Sequence, residues 1–464
     1  MNITREVAVR RSARLKILEG LFDLPPATTS RRRWQLPIES LDAPVLGDWR
    51  VGLVTGPSGA GKSVIAGELL SRTGGQLLGG RDADGVDRPP FDWPVDAIAP
   101  EGFPKALDVP AITGLLCSVG FSSPPDWLKP YGRLSNGQQF RVSLARALAE
   151  QILAMRQADA PVPPIGYDEF GSLVHEQVRQ IAAAACAKAV RREGLRFVAV
   201  TCHDDVGPWL EADWVMLVDG DDVRLRVYVD DEAGERELAE RKRLAAQVLS
   251  KGSPMIEILP RRCLRRPELI LRVERCDASA WARFKRHHYL SADLSRTAAC
   301  WVGLVREARK EETEDGMPTD CSPSALIEAG FTPAAFTAVM PFPHPRRPGW
   351  REHRTVCLPD FQGVGIGNAM SELVASIYAR TGKPYFSTTS HPSMIAHRRR
   401  SLLWKMIRKP SLRPPHSGKG AGAAMRATTS TDRLTAGFEF VCYADCVASN
   451  RPSTLALTND LVLV

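Results

Sequence analysis

No apolar run in the chain approaches the roughly 20 residues that cross a bilayer. The N-terminus, "MNITREVAVRRSARLKILEG", also lacks the uninterrupted apolar segment of a secretion signal. Both absences lead us to expect a soluble, cytoplasmic protein with no membrane partner. The ten cysteines form no paired framework. Their one close pair, Cys442 and Cys446 in "CYADC", has no second pair to complete a zinc site, so reduced, buried thiols are expected. No internal repeat is visible. What is present is length and positive charge: 464 residues are too many for one ordinary core and fit two domains of roughly 200 residues or more. The net charge of +8 brings a polyanionic partner into consideration, because lysine and arginine gain affinity by releasing counterions from phosphates. An arginine-, alanine- and proline-rich chain is equally what biased coding DNA would give.

From Val51 to Gly220 short β-rich runs alternate with helical patterns ("VGLVTG", "RVSLARALAEQILAM", "RFVAVTCH"), which predicts a parallel sheet wrapped by helices. Helical "DDEAGERELAERKRLAAQVL" then gives way to the turn-prone Ser250 to Met255. A domain boundary is expected there, with residues 1–250 before it and 255–464 after it. The second part reads as a further α/β unit. Strands "ELILRVERC", "AACWVGLV", "AAFTAVMPF" and "HRTVCLPD" lead into a glycine turn, a helix "NAMSELVASIYART" and a strand "PYFSTTS".

Two glycine-rich turns stand out. "GPSGAGKS", Gly56 to Ser63, follows a predicted strand and opens a helix. Gly56, Gly59 and Gly61 let backbone amides turn onto phosphate oxygens, Lys62 neutralises the β- and γ-phosphates, and Ser63 offers a hydroxyl to Mg²⁺. "YDEF" supplies Asp168 to hold the metal through water and Glu169 to polarise the attacking water. "LSNGQQFRVSLARAL" resembles the signature sequence of ABC-type ATPases, "YDEFGSLVH" their acidic strand end and D-loop, and "TCHDD" places His203 like their switch histidine. This resemblance implies ATP and Mg²⁺ as cofactors. It also implies a head-to-tail homodimer in which Ser135, Gly137 and Gln138 of one subunit close over the γ-phosphate held by the other. Two departures are visible: His175 stands where the D-loop usually has aspartate, and no glutamine lies at the expected place between the phosphate loop and the signature. Trp34 is a candidate for stacking on adenine, or for packing.

The second turn, "QGVGIG", has no lysine and no hydroxyl for a metal. It suits a pyrophosphate that is held rather than cleaved. Gln362, Gly363, Gly365 and Gly367 resemble the Q-x-x-G-x-G pattern of GNAT acetyltransferases, with strand, helix and strand around it in that fold's order. The resemblance implies acetyl-CoA or another acyl-CoA as donor, with the backbone of Val356 and Leu358 on its pantetheine arm. Candidates for moving protons are Glu352, His353, His391 and Tyr289. The tyrosine acid usual after the fifth strand is missing, and "TTSHPSMIAH" stands in its place. From His391 to Gly420 there are eight lysines and arginines and no acidic residue, a basic face beside the expected acceptor cleft.

The fold expected is therefore α/β throughout: an ABC-type P-loop ATPase domain followed by a GNAT-like acyltransferase domain. Three functions fit: ATP-dependent acyl transfer to an amine on a nucleic acid, acyl transfer to a protein or small-molecule amine regulated by the ATPase, or an ATP-driven nucleic-acid clamp whose GNAT fold has lost chemistry.

Overall fold

A computed structural model describes residues 1–26, 28–81, 87–157, 162–231, 234–249, 256–289, 293–308, 322–412, 434–441 and 462–463. The expected boundary at Ser250 to Met255, the pair Cys442 and Cys446, and the basic stretch beyond Leu412 lie outside the described residues. The described chain divides into two compact units that interleave along the sequence. One comprises residues 1–92, 151–173 and 190–266, and the other residues 93–150, 174–189 and 267–464.

The first unit opens with an antiparallel hairpin, β1 (Asn2–Ala8) and β2 (Thr29–Gln35), whose linker carries helix α1 (Ala13–Leu21). Strand β3 (Val51–Thr55) follows, then α2 (Lys62–Arg72), β4 (Gln76–Leu78) and a two-residue ribbon, β5 (Gly80–Arg81) with β6 (Asp87–Arg88). Helices α3 (Val109–Ser118), α4 (Pro124–Trp127) and α5 (Asn136–Gln157) come next in the chain but belong, as far as Glu150, to the second unit. The chain continues with β7 (Ile165–Tyr167), α6 (Glu176–Glu193, in the second unit as far as Ala189), β8 (Phe197–Thr201), α7 (Val206–Leu210), β9 (Trp214–Asp219), β10 (Asp222–Val229), α8 (Gly234–Leu249) and β11 (Ile256–Pro260). Seven strands form one sheet in the order β11-β10-β9-β3-β8-β7-β4, parallel except where β9 meets β10. Every residue of β3 and β8 is buried, as strands covered on both faces require. Trp49 and Trp214 pack edge to face at 5.4 Å in its core.

The later part of the second unit runs β12 (Leu269–Cys276), α9 (Trp281–Phe284), β13 (Ala299–Glu307), α10 (Pro323–Glu328), β14 (Thr332–Phe342) and β15 (Gly349–Cys357). Then come α11 (Ile366–Ala379), β16 (Tyr385–Thr389), α12 (Pro392–Arg400), β17 (Trp404–Leu412), β18 (Leu434–Phe440) and β19 (Val462–Leu463). The sheet order is β17-β18-β16-β15-β14-β13-β12-β19. All neighbours are antiparallel except β15 and β16, which are parallel and pair only at Trp350↔Tyr385 and Arg351↔Phe386. Beyond Arg351 the two strands no longer pair. At that point β15 also carries a bulge: Ala338 pairs with Arg354 and Val339 with Glu352, leaving His353 as the extra residue.

A buried ion pair holds the elements around this splay together. Glu352 of β15 accepts from Arg398 of α12 at 2.8 Å, from Thr355 and Ser371 at 2.7 Å each, and from Ser387 of β16. Arg398 also donates to Ser371 at 2.9 Å and to Ser387, and its guanidinium lies 4.2 Å over the ring of Trp404. Burial alone would raise the Glu352 pKa, but Arg398 and the hydroxyls of Ser387, Thr355 and Ser371 hold it below the ordinary 4.5. The expectation of Glu352 as a catalytic base is therefore corrected: both its oxygens are committed to framework bonds.

Replacing Glu352 with alanine leaves a buried cation uncompensated and is expected to cost about 3–5 kcal/mol of stability in urea unfolding. In the unsubstituted protein this stabilisation is present above about pH 4.5 and is lost as pH falls through the lowered Glu352 value. An alanine variant as stable as its parent at neutral pH would contradict this.

Candidate functional site

Within the first unit, β3 ends at Thr55 and the chain turns through the glycine loop into α2. Gly61 takes a left-handed conformation (φ +103°) as the helix cap, with no side chain capping it. The helix N-terminus thus presents amides and the positive end of its dipole. Lys62 is buried at the first helical position and its Nζ donates to the carbonyl of Pro57 at 2.8 Å. Asp168, one residue past β7, is buried. Its pKa is raised by burial and by Glu169, and is held back by hydrogen bonds from the Ser63 hydroxyl and the Glu169 amide and by the charge of Lys62. A hydroxyl and a carboxylate in contact, with a cation beside them, are the donor set a magnesium–phosphate ligand needs, so the residues fit Mg²⁺.

Glu169 has φ +50°, one of the few non-glycine residues in that region among those described. Strain of this kind is kept where the surroundings over-determine it, as at active sites. Its amide donates to Asp168 at 2.9 Å and its carboxylate accepts from Ser172 at 2.5 Å. Thr201 at the end of β8 donates to the Phe170 carbonyl at 3.0 Å and accepts from the His203 amide at 3.2 Å. Three of the expected groups, Asp168, Glu169 and His203, thus sit on adjacent strand ends.

Where a glutamine was missing, Gly79 and Gly80 follow β4, and Gln76 stands at the opposite end of that strand. A Cβ on Gly80 would fall 2.1 Å from Asp168 Oδ2. The glycine makes room for the Asp168 carboxylate. Trp34 is packing: its Nε1 donates to the carbonyls of Ala60 and Gly220, each at 3.0 Å, and its ring is buried against Gly61. The adenine-stacking alternative is corrected accordingly.

In the second unit, Ser135 caps α5 reciprocally with Gln138. The Ser135 amide donates to Gln138 Oε1 at 3.0 Å, and the Gln138 amide to Ser135 Oγ at 3.4 Å. Gly137 faces α6, where a Cβ would stand 3.0 Å from Val178. His175 precedes α6 and its Nδ1 accepts from the Gln177 amide at 3.4 Å, so it does the capping work that an aspartate would do there.

The second turn is only partly an open cradle. Gly365 caps α11 in the left-handed region (φ +107°) with no side-chain cap, and Gly365 and Gly367 are half-buried. Gln362 and Gly363 instead face the segment after α3. Gln362 accepts from the Ser122 amide at 2.7 Å and donates to the Cys357 carbonyl at 2.8 Å. A Cβ on Gly363 (φ +102°) would lie 2.7 Å from Ala185 Cβ and 3.0 Å from Gly120 Cα. The close approach this glycine permits is to another backbone, which corrects its assignment to a phosphate.

Val356 and Leu358 are corrected as well. The Leu358 amide donates to Ala334 at 2.8 Å, and the register Phe336↔Val356 turns the Val356 backbone towards β14 in the same way. The edge turned towards β16 belongs to Thr355 and Cys357. A one-residue change of parity reverses which groups face the splay.

Both ring nitrogens of His353 face donors: Nε2 accepts from the Ser295 amide at 3.1 Å, and Nδ1 lies 3.4 Å from Arg354 Nη1. Burial and the neighbouring Arg354 and Arg351 hold its pKa at about 4. His391 is the opposite case. Its Nε2 lies 2.8 Å from the Ser122 carbonyl and must donate, which leaves Nδ1 as an acceptor, buried and without a partner among the described residues. Burial lowers its pKa against the opposing effect of Ser122, so the ring is neutral near pH 7. Tyr289 stacks on His288 at 4.6 Å. No helix among the described residues is long and apolar enough to cross a membrane.

No protein-family model matches the chain, and no curated protein matches it. Among solved structures it is similar to the dimeric bacterial ABC transporter cassette MJ0796, at 16% identity over 37% of this chain and 81% of that one, TM-score 0.26. That cassette in a post-hydrolysis state bound to ADP and Pi matches at 17% identity over 38% and 83%, TM-score 0.27. The structure of cbiO1 from Clostridium perfringens, part of the ABC transporter complex cbiONQ, matches at 16% over 38% and 75%, TM-score 0.28.

The crowding at Gly80 makes a specific expectation. Gly80→Ala, strained at φ +88° and crowding Asp168, should lower the unfolding midpoint by a few degrees and weaken Mg²⁺-dependent ATP binding of the folded protein about tenfold. Unchanged Mg²⁺ dependence in a magnesium titration would show that Asp168 does not serve the metal.

Proposed function

We propose that this chain is an ATP-dependent acyltransferase: an ABC-type ATPase whose second unit carries acyl groups from acyl-CoA to an amine on a nucleic acid. The observation that carries the reading is the parallel pair β15–β16, which stops pairing beyond Arg351 and Phe386 with a bulge on one strand and a glycine-capped helix, α11, following it. These features support the GNAT-like reading, in which the edge left open would offer Thr355 and the Cys357 amide to a pantetheine arm, the Cys357 carbonyl being taken by Gln362. The amides of Gly365 and Ile366 at the helix N-terminus suit a pyrophosphate, while that of Gly367 donates to the Cys357 sulfur. When bound, acyl-CoA supplies the activated thioester. His391 Nδ1, beyond β16 and buried in this structure, would take the proton that the acceptor amine loses once that side of the ring is uncovered, as the N–C bond forms, the thioester C–S bond breaks and CoA leaves as its thiolate to be protonated by water.

The ATPase reading is supported by the contact of Ser63 with Asp168 and by the strained Glu169. Lys62 would neutralise phosphate charge, Ser63 and Asp168 would hold Mg²⁺, and Glu169 would orient water, with His203 on the adjoining strand end. A head-to-tail homodimer would bring Ser135, Gly137 and Gln138 to the partner's nucleotide. A nucleic-acid acceptor is supported by charge: Arg399, Arg400, Lys405 and Lys409 are exposed along α12 and β17.

One observation favours a second reading, an ATP-driven clamp without transfer chemistry. Gln362 and Gly363 are packed against the helical segment, and Glu352 is committed to Arg398.

Purified protein given acetyl-CoA, Mg-ATP and DNA or RNA decides between them by nucleoside mass spectrometry. A nucleoside heavier by one acetyl group is expected. Transfer should be lost in Gly365→Val and reduced about 100-fold in His391→Ala. Because transfer needs neutral His391, the acid limb of its pH profile should lie below the ordinary histidine value of 6.5. Nucleic-acid-stimulated ATPase with no transfer would establish the clamp. Transfer to a protein lysine or small amine, insensitive to salt, would exclude the nucleic acid.

A further inference from the structure

Arg141 lies one turn inside α5, three residues after Gln138 of the signature. It shares a helix face with Leu144, Ala145 and Leu148, all fully buried, and is itself 1% exposed. A cation in an apolar stripe needs acceptors. Here they are backbone carbonyls: Nη1 donates to Gly120 at 3.2 Å and to Pro359, while Nε and Nη2 have no partner among the described residues. Burial pulls its pKa down to about 10 against the opposing charge of Asp360. Pro359 opens the segment that leads into the second glycine turn, and Gly120 (φ +85°) touches that turn directly. A Cβ on Gly120 would fall 2.4 Å from the Gln362 carbonyl oxygen.

The loop Gly120 to Ser122 therefore bears on every part of the acyl-donor site. It meets the turn through the contact of Gly120 with Gln362 and Gly363, and it meets β15 through Gln362, which bridges the Ser122 amide and the Cys357 carbonyl. It also meets the end of β16 through His391, which donates to the Ser122 carbonyl. Arg141 fastens this loop and Pro359 to the helix that begins at Ser135. Backbone on backbone and a buried guanidinium leave no soft layer between them, and packed contacts of this kind switch between arrangements rather than deform.

We infer that Arg141 is a positioning residue for the acyl-CoA turn, and that through it ATP engagement of the signature helix and acyl-CoA binding are thermodynamically linked. The inference rests on the ATPase and acyltransferase reading above. Holding the N-terminus of α5 orders the loop on which the turn sits, so the second ligand meets a site already ordered and binds more tightly. Such coupling is reciprocal.

The test uses the full-length chain carrying Glu169→Gln, so that ATP is retained, and titrates acetyl-CoA calorimetrically with and without Mg-ATP, then the reverse. The expected result is an acetyl-CoA Kd lowered about fivefold or more by Mg-ATP, and an ATP Kd lowered by the same factor by acetyl-CoA. Adding Arg141→Met should bring both factors to about one while each ligand alone still binds, and Arg141→Lys should restore part of the coupling. The measurement with Arg141 intact tests the linkage without depending on how an Arg141 variant folds. Two ligands that bind with Kd values indifferent to each other, or coupling that survives Arg141→Met, would overturn the linkage and leave the acyltransferase reading standing. Acetyl-CoA that binds under neither condition would remove the reading and the linkage together.

Discussion

The buried pair of Glu352 and Arg398 is the constraint on which the second unit depends. It ties β15 to β16, α11 and α12 through Ser387, Ser371 and the two charges. Parallel strands that stop pairing after two residues expose backbone groups that would otherwise draw the strands together or admit water. A charged, fully bonded core on one side of the splay keeps the four elements at fixed spacing without closing it. An ion pair of this kind adds little net stability compared with a well-packed apolar pair. What it contributes here is a geometry that apolar packing, which favours closure, would not hold.

That geometry explains how the chemistry is distributed. The carboxylate nearest the splay serves the framework, and His353 has its ring locked by the Ser295 amide. The free lone pair belongs to His391, whose other nitrogen is held by Ser122, a residue some 270 positions earlier in the chain. The surroundings of the second turn are thus completed by the segment around Ser122, which lies in the chain between the phosphate loop and the acidic strand end. The two compact units accordingly interleave in sequence.

The turn from β3 into α2 and the placing of Asp168 and Glu169 just past β7 were legible because each lies in a contiguous motif, where a few residues determine the local conformation. The order of strands around the second turn was legible for the same reason. Other features were not. The bulge at His353 changes the parity of β15, so the backbone groups turned towards β16 belong to Thr355 and Cys357 rather than Val356 and Leu358. No pattern in "HRTVCLPD" announces an extra residue. Glu352 looked like a base because its partner is 46 residues away. Gly363 looked like a phosphate glycine, whereas its conformation serves a contact with Gly120. One signal was present and unused: Arg141 interrupts the apolar face of α5 in "QQFRVSLARAL", and a charge there requires a buried partner.

The central claim is that this chain handles two phosphate-bearing ligands, one at a lysine-bearing loop and one at bare amides. Hydrogen exchange of the peptide spanning Gly363 to Asn368 tests it most directly. The account predicts that acetyl-CoA slows exchange in this peptide, and that Mg-ATP is what slows exchange in the peptide spanning Gly56 to Ser63. If acetyl-CoA leaves residues 363 to 368 unprotected at saturating concentration, the second loop holds no such ligand and the account is wrong.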